Sequence, residues 1–171
     1  MLYRMLSKLL DYPDEGLAGV LWELRLRARQ GTEFEAHERP AVETFVDYLE
    51  SLPLTELQAA YVATFDMVPE HSLHLTHHLF GDDKNRGPAL IDLTEFYKEY
   101  GLELAANELP DFLPLVLEFA DQLDAEEAHM FLSQWTKVLK QLAANLEEAR
   151  SPYAPLVRLV EDRAQLVKAA A

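Results

Sequence analysis

Apolar residues recur along this chain at intervals of three and four, in one short segment after another. The first segment carries Leu2, Met5, Leu6, Leu9 and Leu10 in this spacing, and Pro13 follows it. Such spacing lines one face of an α-helix, because a helix turns once in about 3.6 residues. The pattern therefore predicts a series of amphipathic helices that bury their apolar faces against one another.

Further stripes of the same kind follow, most of them bounded by Pro or Gly: Leu17 to Ala28, Val42 to Leu49, Leu57 to Phe65, Leu90 to Tyr100, Phe112 to Phe119 and Leu156 to Leu166. Gly101 is expected to end the Leu90 helix in a left-handed conformation. No alternating run rich in Val, Ile or Thr occurs, so the sequence carries no strand signal. We predict an all-α fold, a single-domain bundle of about seven to nine helices over residues 1–171.

Two helix starts can be placed from capping residues. Asp124 is a plausible N-cap with Glu127 three residues later, and the apolar spacing then continues to Leu146. This predicts that the longest helix of the bundle runs without interruption from Asp124 to Leu146. Pro110 and Asp111 are expected to start the helix that carries Phe112 to Phe119 into the core.

The charge balance excludes several kinds of partner. Fifteen Lys and Arg against 30 Asp and Glu give a net charge of -15, which repels phosphate backbones and anionic lipid headgroups. We therefore expect no nucleic acid binding and no membrane insertion, whereas a basic peptide would be attracted. The chain has no cysteine, so it has no disulfide framework or thiolate nucleophile, and a reducing cytoplasm suits it.

The segment from Asp66 to Pro88 differs from the rest of the chain. It combines four of the six His residues with Pro69, Gly81 and Gly87, which indicates a short helix between loops. Loops held by a rigid scaffold carry function more often than packed helices do. We therefore expect the functional surface here.

Metal binding is one interpretation of the His residues. If residues 72–80 are helical, then His74, His77 and His78 share one face and could bind a divalent metal. However, no HExxH motif is present, and only Glu126 with His129 has the ExxH spacing of a di-metal bundle. A helical metal-binding protein using the cluster from His71 to His78 stays as the alternative hypothesis.

Motifs for catalysis are missing from the sequence. The Gly residues form neither GxGxxG nor GxxxxGK, and no Ser lies in GxSxG. We expect that the chain is not an enzyme and has no cofactor of its own.

The central region also resembles a known family. The residues that carry the resemblance are Tyr61, Phe65 and Asp66, then Ser72 and Leu73, then Gly81, Arg86, Gly87 and Ala89, then Tyr97 and Gly101, and finally the string Glu108, Leu109, Pro110, Asp111, Leu113, Pro114 and Glu118, with the early LLDYPDE from Leu9 to Glu15. In these positions the chain resembles the NarJ-type nitrate reductase assembly chaperones, relatives of the TorD-like redox-enzyme maturation proteins. The resemblance extends over nearly the whole chain and is dense between Tyr61 and Phe119.

The resemblance implies a cytoplasmic, all-helical accessory protein. Such a protein would bind the N-terminal segment of the catalytic α subunit of a respiratory nitrate reductase, keep that subunit competent for molybdenum cofactor insertion, and delay its docking to the membrane. The resemblance also allows molybdenum cofactor delivery proteins as further partners. We predict that the peptide binds as a helix in an apolar groove beside residues 61–97. The predicted binding residues are the apolar Tyr61, Phe65, Leu73, Leu75, Leu79, Phe80 and Tyr97, the acids Asp66, Asp82 and Asp83, and Arg86, which is expected to fix the loop by pairing with an acid.

Overall fold

The computed structural model describes residues 1–105 and 107–165, and these residues form ten α-helices. Their bounds are α1 Leu2–Leu10, α2 Glu15–Gln30, α3 Arg39–Ser51, α4 Leu54–Phe65, α5 Leu75–Phe80, α6 Arg86–Glu99, α7 Leu113–Ala120, α8 Ala125–Ser133, α9 Thr136–Glu148 and α10 Ala154–Gln165. A short 3-10 helix, Pro69–His71, lies between α4 and α5. No β-strand occurs in the described ranges, so the all-α prediction is confirmed, with ten helices rather than seven to nine.

The predicted long helix from Asp124 to Leu146 is in fact two helices. Asp124 does cap α8, since its side chain accepts hydrogen bonds from the backbone N–H groups of Glu126 and Glu127. The helix then ends at Ser133, and α9 begins at Thr136. Ser133 Oγ donates to the Met130 carbonyl and Thr136 Oγ1 donates to the Ser133 carbonyl. Such side-chain bonds to the backbone compete with the hydrogen bonds of the helix. The apolar spacing is the same on both sides of the break, so the sequence pattern does not indicate it.

The last helix, α10, lies at the centre of the bundle. It packs against α9, α8, α3 and α1, and Leu156, Val157 and Val160 are completely buried. Leu166, which the sequence assigned to the same stripe, lies outside the described residues. Arg163 on α10 forms an ion pair with the buried carboxylate of Glu38. Burial would raise the pKa of Glu38, but this guanidinium holds it below its ordinary value.

Aromatic side chains form two clusters in the core. In the first, Tyr153 lies between Phe45, Tyr48, Tyr61 and Phe65, with ring centroids 4.8 to 6.3 Å apart. The second joins three helices and contains Phe96, Tyr97, Tyr100, Phe119 and Phe131. Because aromatic side chains bury large apolar areas, these clusters are major contributors to the packing of the bundle.

The start of α7 differs from the sequence prediction. The helix begins at Leu113 with Pro114 in its first turn, and Asp111 lies before it as a completely buried carboxylate. Phe112 and Leu115 are only partly buried, whereas Val116 and Phe119 enter the core as predicted. None of the helices in residues 1–105 and 107–165 has both the length and the apolarity needed to cross a lipid bilayer.

Candidate functional site

Helix α6 is apolar on more than one side, yet it is poorly covered by the rest of the protein. Tyr97 is its one buried residue. The backbone of α6 lies close to α5, and α6 meets α7 and α8 through the rings of Phe96 and Tyr97. Leu90, Leu93 and Phe96 are half-buried, and Ile91 is 62% exposed. A helix with this much apolar surface left open is a candidate binding surface.

A half-open groove of about 360 Å³ runs along one side of α6. The lining side chains come from α5, α6 and the α8–α9 region and are mostly apolar: Thr76, Leu79, Phe80, Ala89, Asp92, Leu93, Phe96, Phe131, Gln134 and Trp135. We call this the α5–α6 groove. The rings of Phe96 and Phe131 stack with their centroids 5.8 Å apart, so α6 and α8 are in contact beside it. An apolar groove between helices of this kind suits the apolar face of an amphipathic helix.

Three exposed acids lie in or next to the groove. Asp92 lines it from α6, and Asp82 and Asp83 belong to the loop that follows α5. None of the three forms an ion pair with another side chain in the described ranges. The groove therefore combines an apolar surface with unpaired negative charge, which favours a basic, apolar occupant.

Trp135 occupies the break between α8 and α9 and lines the α5–α6 groove. Its ring is partly exposed, but its indole nitrogen is buried and has no hydrogen-bond acceptor among the described residues. Buried indole N–H groups normally find an acceptor. This donor is therefore an unsatisfied polar group that neighbouring side chains cover.

Five of the predicted binding residues lie in the core. Tyr61, Phe65, Leu73, Leu75 and Tyr97 are each at most 5% exposed. Tyr61 and Phe65 belong to the first aromatic cluster and Tyr97 to the second, while the backbone of Leu73 and Leu75 is hydrogen-bonded to Leu113 and Asp111. In this conformation an incoming peptide cannot contact these five side chains, because helix packing covers them.

The other apolar candidates lie where they were expected. Leu79 and Phe80 line the α5–α6 groove, and Leu79 is 55% exposed. Asp66 is exposed at the end of α4 and does not line the groove. The predicted set is therefore divided between the core, the groove and its acidic edge, and the binding role of its members stays a prediction.

Arg86 does pair with an acid, although that acid is remote in the sequence. Its Nη2 lies 3.6 Å from Asp111 Oδ2, and its Nε donates to Thr76 Oγ1 at 3.0 Å. Asp111 also accepts hydrogen bonds from the backbone N–H and hydroxyl of Thr76 and contacts His74 Nδ1 at 3.3 Å. Burial would raise the pKa of Asp111, but the bonds from His74 and Thr76 hold it below its ordinary value.

The His residues do not share one helical face, because α5 begins only at Leu75 and His74 precedes it. His78 Nε2 lies 2.7 Å from the Ser72 carbonyl, and His71 Nδ1 lies 3.1 Å from the Thr64 carbonyl. Burial lowers the pKa of His78. In residues 1–105 and 107–165, no group of three or more His, Cys, Asp or Glu side chains is arranged to hold a metal ion, so the structure gives the metal-binding hypothesis no support.

Sequence reasoning missed the part of the groove formed by α6 and by the α8–α9 region. The residues it missed are Ala89, Asp92, Leu93, Phe96, Phe131, Gln134 and Trp135. The sequence of α6 did indicate an uncovered apolar surface. Its apolar residues lie on more than one face of the helix, whereas burial of a single face needs fewer of them: Ala89, Leu90, Ile91, Leu93 and Phe96. No comparable signal marked Trp135, because its spacing fits the buried stripe of a continuous helix.

The described residues thus define an all-α protein with an open apolar groove between its helices. Residues 32–158 match the family described as "Nitrate reductase delta subunit", so the chain belongs to this family. Relatives in Escherichia coli and Bacillus subtilis are named as assembly chaperones, which agrees with the expectation that the chain is not an enzyme.

Three relatives illustrate the match. The chain is 34% identical over 156 residues to the nitrate reductase molybdenum cofactor assembly chaperone NarJ of Escherichia coli K12, covering 91% of this chain and 66% of that protein. It is 30% identical over 161 residues to the probable chaperone NarJ of Bacillus subtilis 168, covering 92% of this chain and 85% of that protein. It is also 33% identical to the nitrate reductase-like protein NarX of Mycobacterium tuberculosis H37Rv, covering 94% of this chain but 24% of that protein.

Proposed function

We propose that this chain is an assembly chaperone for a respiratory nitrate reductase and that it binds the N-terminal segment of the catalytic α subunit. The bound segment is a helix laid in the α5–α6 groove. Binding keeps the α subunit competent for molybdenum cofactor insertion and delays membrane docking until the cofactor is loaded. The expected compartment is the cytoplasm, and molybdenum cofactor delivery proteins are further partners in this scheme.

The observation that carries the proposal is the incomplete covering of α6. Its apolar side chains line an open groove of about 360 Å³, in a chain whose relatives are named as nitrate reductase assembly chaperones. Unpaired acids at Asp82, Asp83 and Asp92 favour a basic amphipathic segment, because complementary charge speeds capture and rejects acidic competitors. No bond-making chemistry is required of the chaperone.

Fluorescence of Trp135 tests the proposal directly. The chain has two Trp residues, and Trp22 is 70% exposed on α2, away from the groove lining. In a Trp22→Phe variant, Trp135 is the one remaining indole. Titration with a synthetic peptide of the α subunit's first 25 or so residues should shift its emission to shorter wavelength, because a helix in the groove excludes water from the ring. No binding detected by fluorescence or calorimetry at low salt would contradict the proposal.

The electrostatic part has its own test. Association of the peptide should slow as ionic strength rises past about 0.15 M, where the screening length is roughly 8 Å, while dissociation changes less. Replacing both Asp82 and Asp83 with Lys should slow association in the same way. A matched control replaces Glu15 and Glu56, two exposed acids that do not line the groove. Tight binding that does not depend on salt would contradict the proposal that the acids steer association, but it would not contradict binding in the groove.

A further inference from the structure

We infer that the segment bound in the α5–α6 groove continues over the first turn of α6 and places an apolar side chain in a second groove, on the opposite flank of this helix. The inference rests on the proposed function, because the occupant is a further stretch of the same N-terminal segment of the α subunit. About four to six residues join this stretch to the bound helix.

The second groove has a volume of about 350 Å³ and lies between α6 and the segment that precedes α7. We call it the Ile91 groove. Ile91 is 62% exposed and Leu109 is 42% exposed, so two large apolar side chains in one groove are left open for a partner to cover. Four apolar residues and two acids are among its lining: Leu90, Ile91, Leu104, Leu109, Glu95 and Glu108.

The wall of the Ile91 groove that faces α6 is held in place by hydrogen bonds. The Tyr97 hydroxyl donates to the Pro110 carbonyl at 2.7 Å, and the Leu102 N–H donates to the Tyr97 carbonyl at 3.1 Å. The side chains of Leu102 and Leu104 also pack against the core. The groove is therefore formed in the free protein, as binding sites usually are.

The two grooves lie on opposite flanks of one helix. Ala89, Leu93 and Phe96 line the α5–α6 groove, whereas Leu90 and Ile91 line the Ile91 groove. Successive residues of an α-helix are about 100° apart around its axis, which places these two sets on either side of the outer face of α6. A segment that leaves one groove across this face therefore enters the other.

The first turn of α6 offers a path between the flanks. Helical spacing places Pro88 on the outer face, beside Gly87, and both residues are exposed. A Cβ added at Gly87 would meet no atom within 4 Å, so the space around it is open. Further along, the outer face carries the longer side chains of Glu95 and Glu99. Because a helix is about 10 to 12 Å across and an extended chain covers about 3.3 Å per residue, four to six residues suffice for the crossing.

Charge favours the Ile91 groove over another groove of similar size. A groove of about 430 Å³ beside α1 and α2 has a polar lining that combines the cations Arg4, Lys8 and Arg27 with the acids Glu23 and Glu118. Among the described residues, no Lys or Arg lines the α5–α6 groove or the Ile91 groove. A basic segment therefore meets no repulsive charge in these two linings, whereas it meets three cations beside α1 and α2.

Calorimetry with two synthetic peptides tests the inference on the full chain. The long peptide has the α subunit's first 25 or so residues, and the short one is the shortest truncation that still shifts the Trp135 emission. Ile91→Gln should weaken binding of the long peptide about fivefold to thirtyfold, the range for burying a large aliphatic side chain. It should change binding of the short peptide by less than about twofold. Leu79→Gln, in the α5–α6 groove, should weaken both.

Met130→Gln is the matched control for Ile91→Gln. Met130 is 58% exposed on α8 and lines neither groove. This variant should bind both peptides within about twofold of the wild type, as expected of a neutral surface substitution. An equal loss for both peptides in Ile91→Gln would overturn the inference, and so would undiminished binding of the long peptide.

A fluorescent label gives a readout that does not depend on affinity. The chain has no cysteine, so an Ile91→Cys variant can be labelled at one position with an environment-sensitive dye. The long peptide should shift the emission to shorter wavelength and the short peptide should not. Labelled Leu79→Cys should respond to both peptides and labelled Met130→Cys to neither. A response of the Ile91→Cys label to the short peptide would assign the bound helix itself to the Ile91 groove and overturn the inference.

Sedimentation of the free protein tests a second copy of this chain as the occupant. Ile91→Gln should leave the oligomeric state unchanged. A dimer that Ile91→Gln dissociates would assign the Ile91 groove to a second copy and overturn the inference. If the wild type binds both peptides and Leu79→Gln alone weakens them, the inference fails and the proposed function stands. If the wild type binds neither peptide, both fail.

Discussion

The carboxylate of Asp111 is completely buried and lies 3.6 Å from the guanidinium of Arg86. The same carboxylate accepts hydrogen bonds from Thr76 in the first turn of α5. One side chain thereby joins α5, the start of α6 and the segment before α7. Helices α5 and α6 both line the α5–α6 groove, so the Asp111 network connects two of its walls although Asp111 does not line it.

Replacing Asp111 with Asn should lower the free energy of unfolding by about 3 kcal/mol, because removing one member of a buried charge network leaves its partners uncompensated. Asp82→Asn is the control, since Asp82 is exposed and should change stability by less than about 0.5 kcal/mol. Chemical denaturation with fluorescence detection measures both variants. Equal midpoints for Asp111→Asn and wild type would show that the network does not stabilise the fold.

The depressed pKa of His78 predicts a dependence of stability on pH. Burial holds the pKa of this ring below the value of about 6.5 in an unfolded chain. The unfolded state therefore binds the proton more readily than the folded state does. The free energy of unfolding is accordingly highest above about pH 6.5, and it declines as the pH falls toward and through the pKa of the folded state. His78→Gln should reduce this decline in denaturation curves between pH 7 and 5, whereas His37→Gln, at an exposed site, should not. An unchanged pH profile in His78→Gln would contradict the prediction.

Gly81 ends α5 with φ at 55° and ψ at -125°, a conformation that other residues rarely adopt. Gly81→Ala should cost about 1 to 3 kcal/mol. This cost is backbone strain and not a clash, since an added Cβ meets no other atom within 4 Å. Gly19 also has open space but lies inside α2, so Gly19→Ala should be neutral or stabilising by up to about 1 kcal/mol. Thermal unfolding of the two variants compares them, and similar midpoints would show that the turn at Gly81 tolerates a side chain.

Phe119 lies in the second aromatic cluster, where it contacts Phe96, Tyr97 and Phe131. Phe119→Ala should cost about 3 to 5 kcal/mol, since it leaves a cavity in the core. Met130→Ala, at a side chain that is 58% exposed on α8, is the control and should cost less than about 0.5 kcal/mol. A Phe119→Ala variant with the wild-type denaturation midpoint would contradict the packing described for this cluster.

Local patterns in the sequence predicted most of the secondary structure. The stripes of α1 to α4 and the cap at Asp124 lie where they were expected, because apolar spacing and capping depend on neighbours a few residues away. The break before Trp135 was not predicted, since it preserves that spacing. Asp111 was interpreted as a helix start, because its partners Thr76 and Arg86 are remote in the sequence and no local pattern reveals them.

The sequence by itself determined the fold class and the acidic character of the surface. Each of these follows from composition or from periodicity along a single helix. The tertiary structure alone decided which of the apolar residues are covered: Tyr61, Phe65 and Tyr97 are packed in the core, whereas Leu79 and Phe80 stay at the groove with Asp92 and Trp135. The physical reason is that burial depends on which helices pack against each other, and a stripe of apolar residues has the same spacing whether its own protein or a partner covers it.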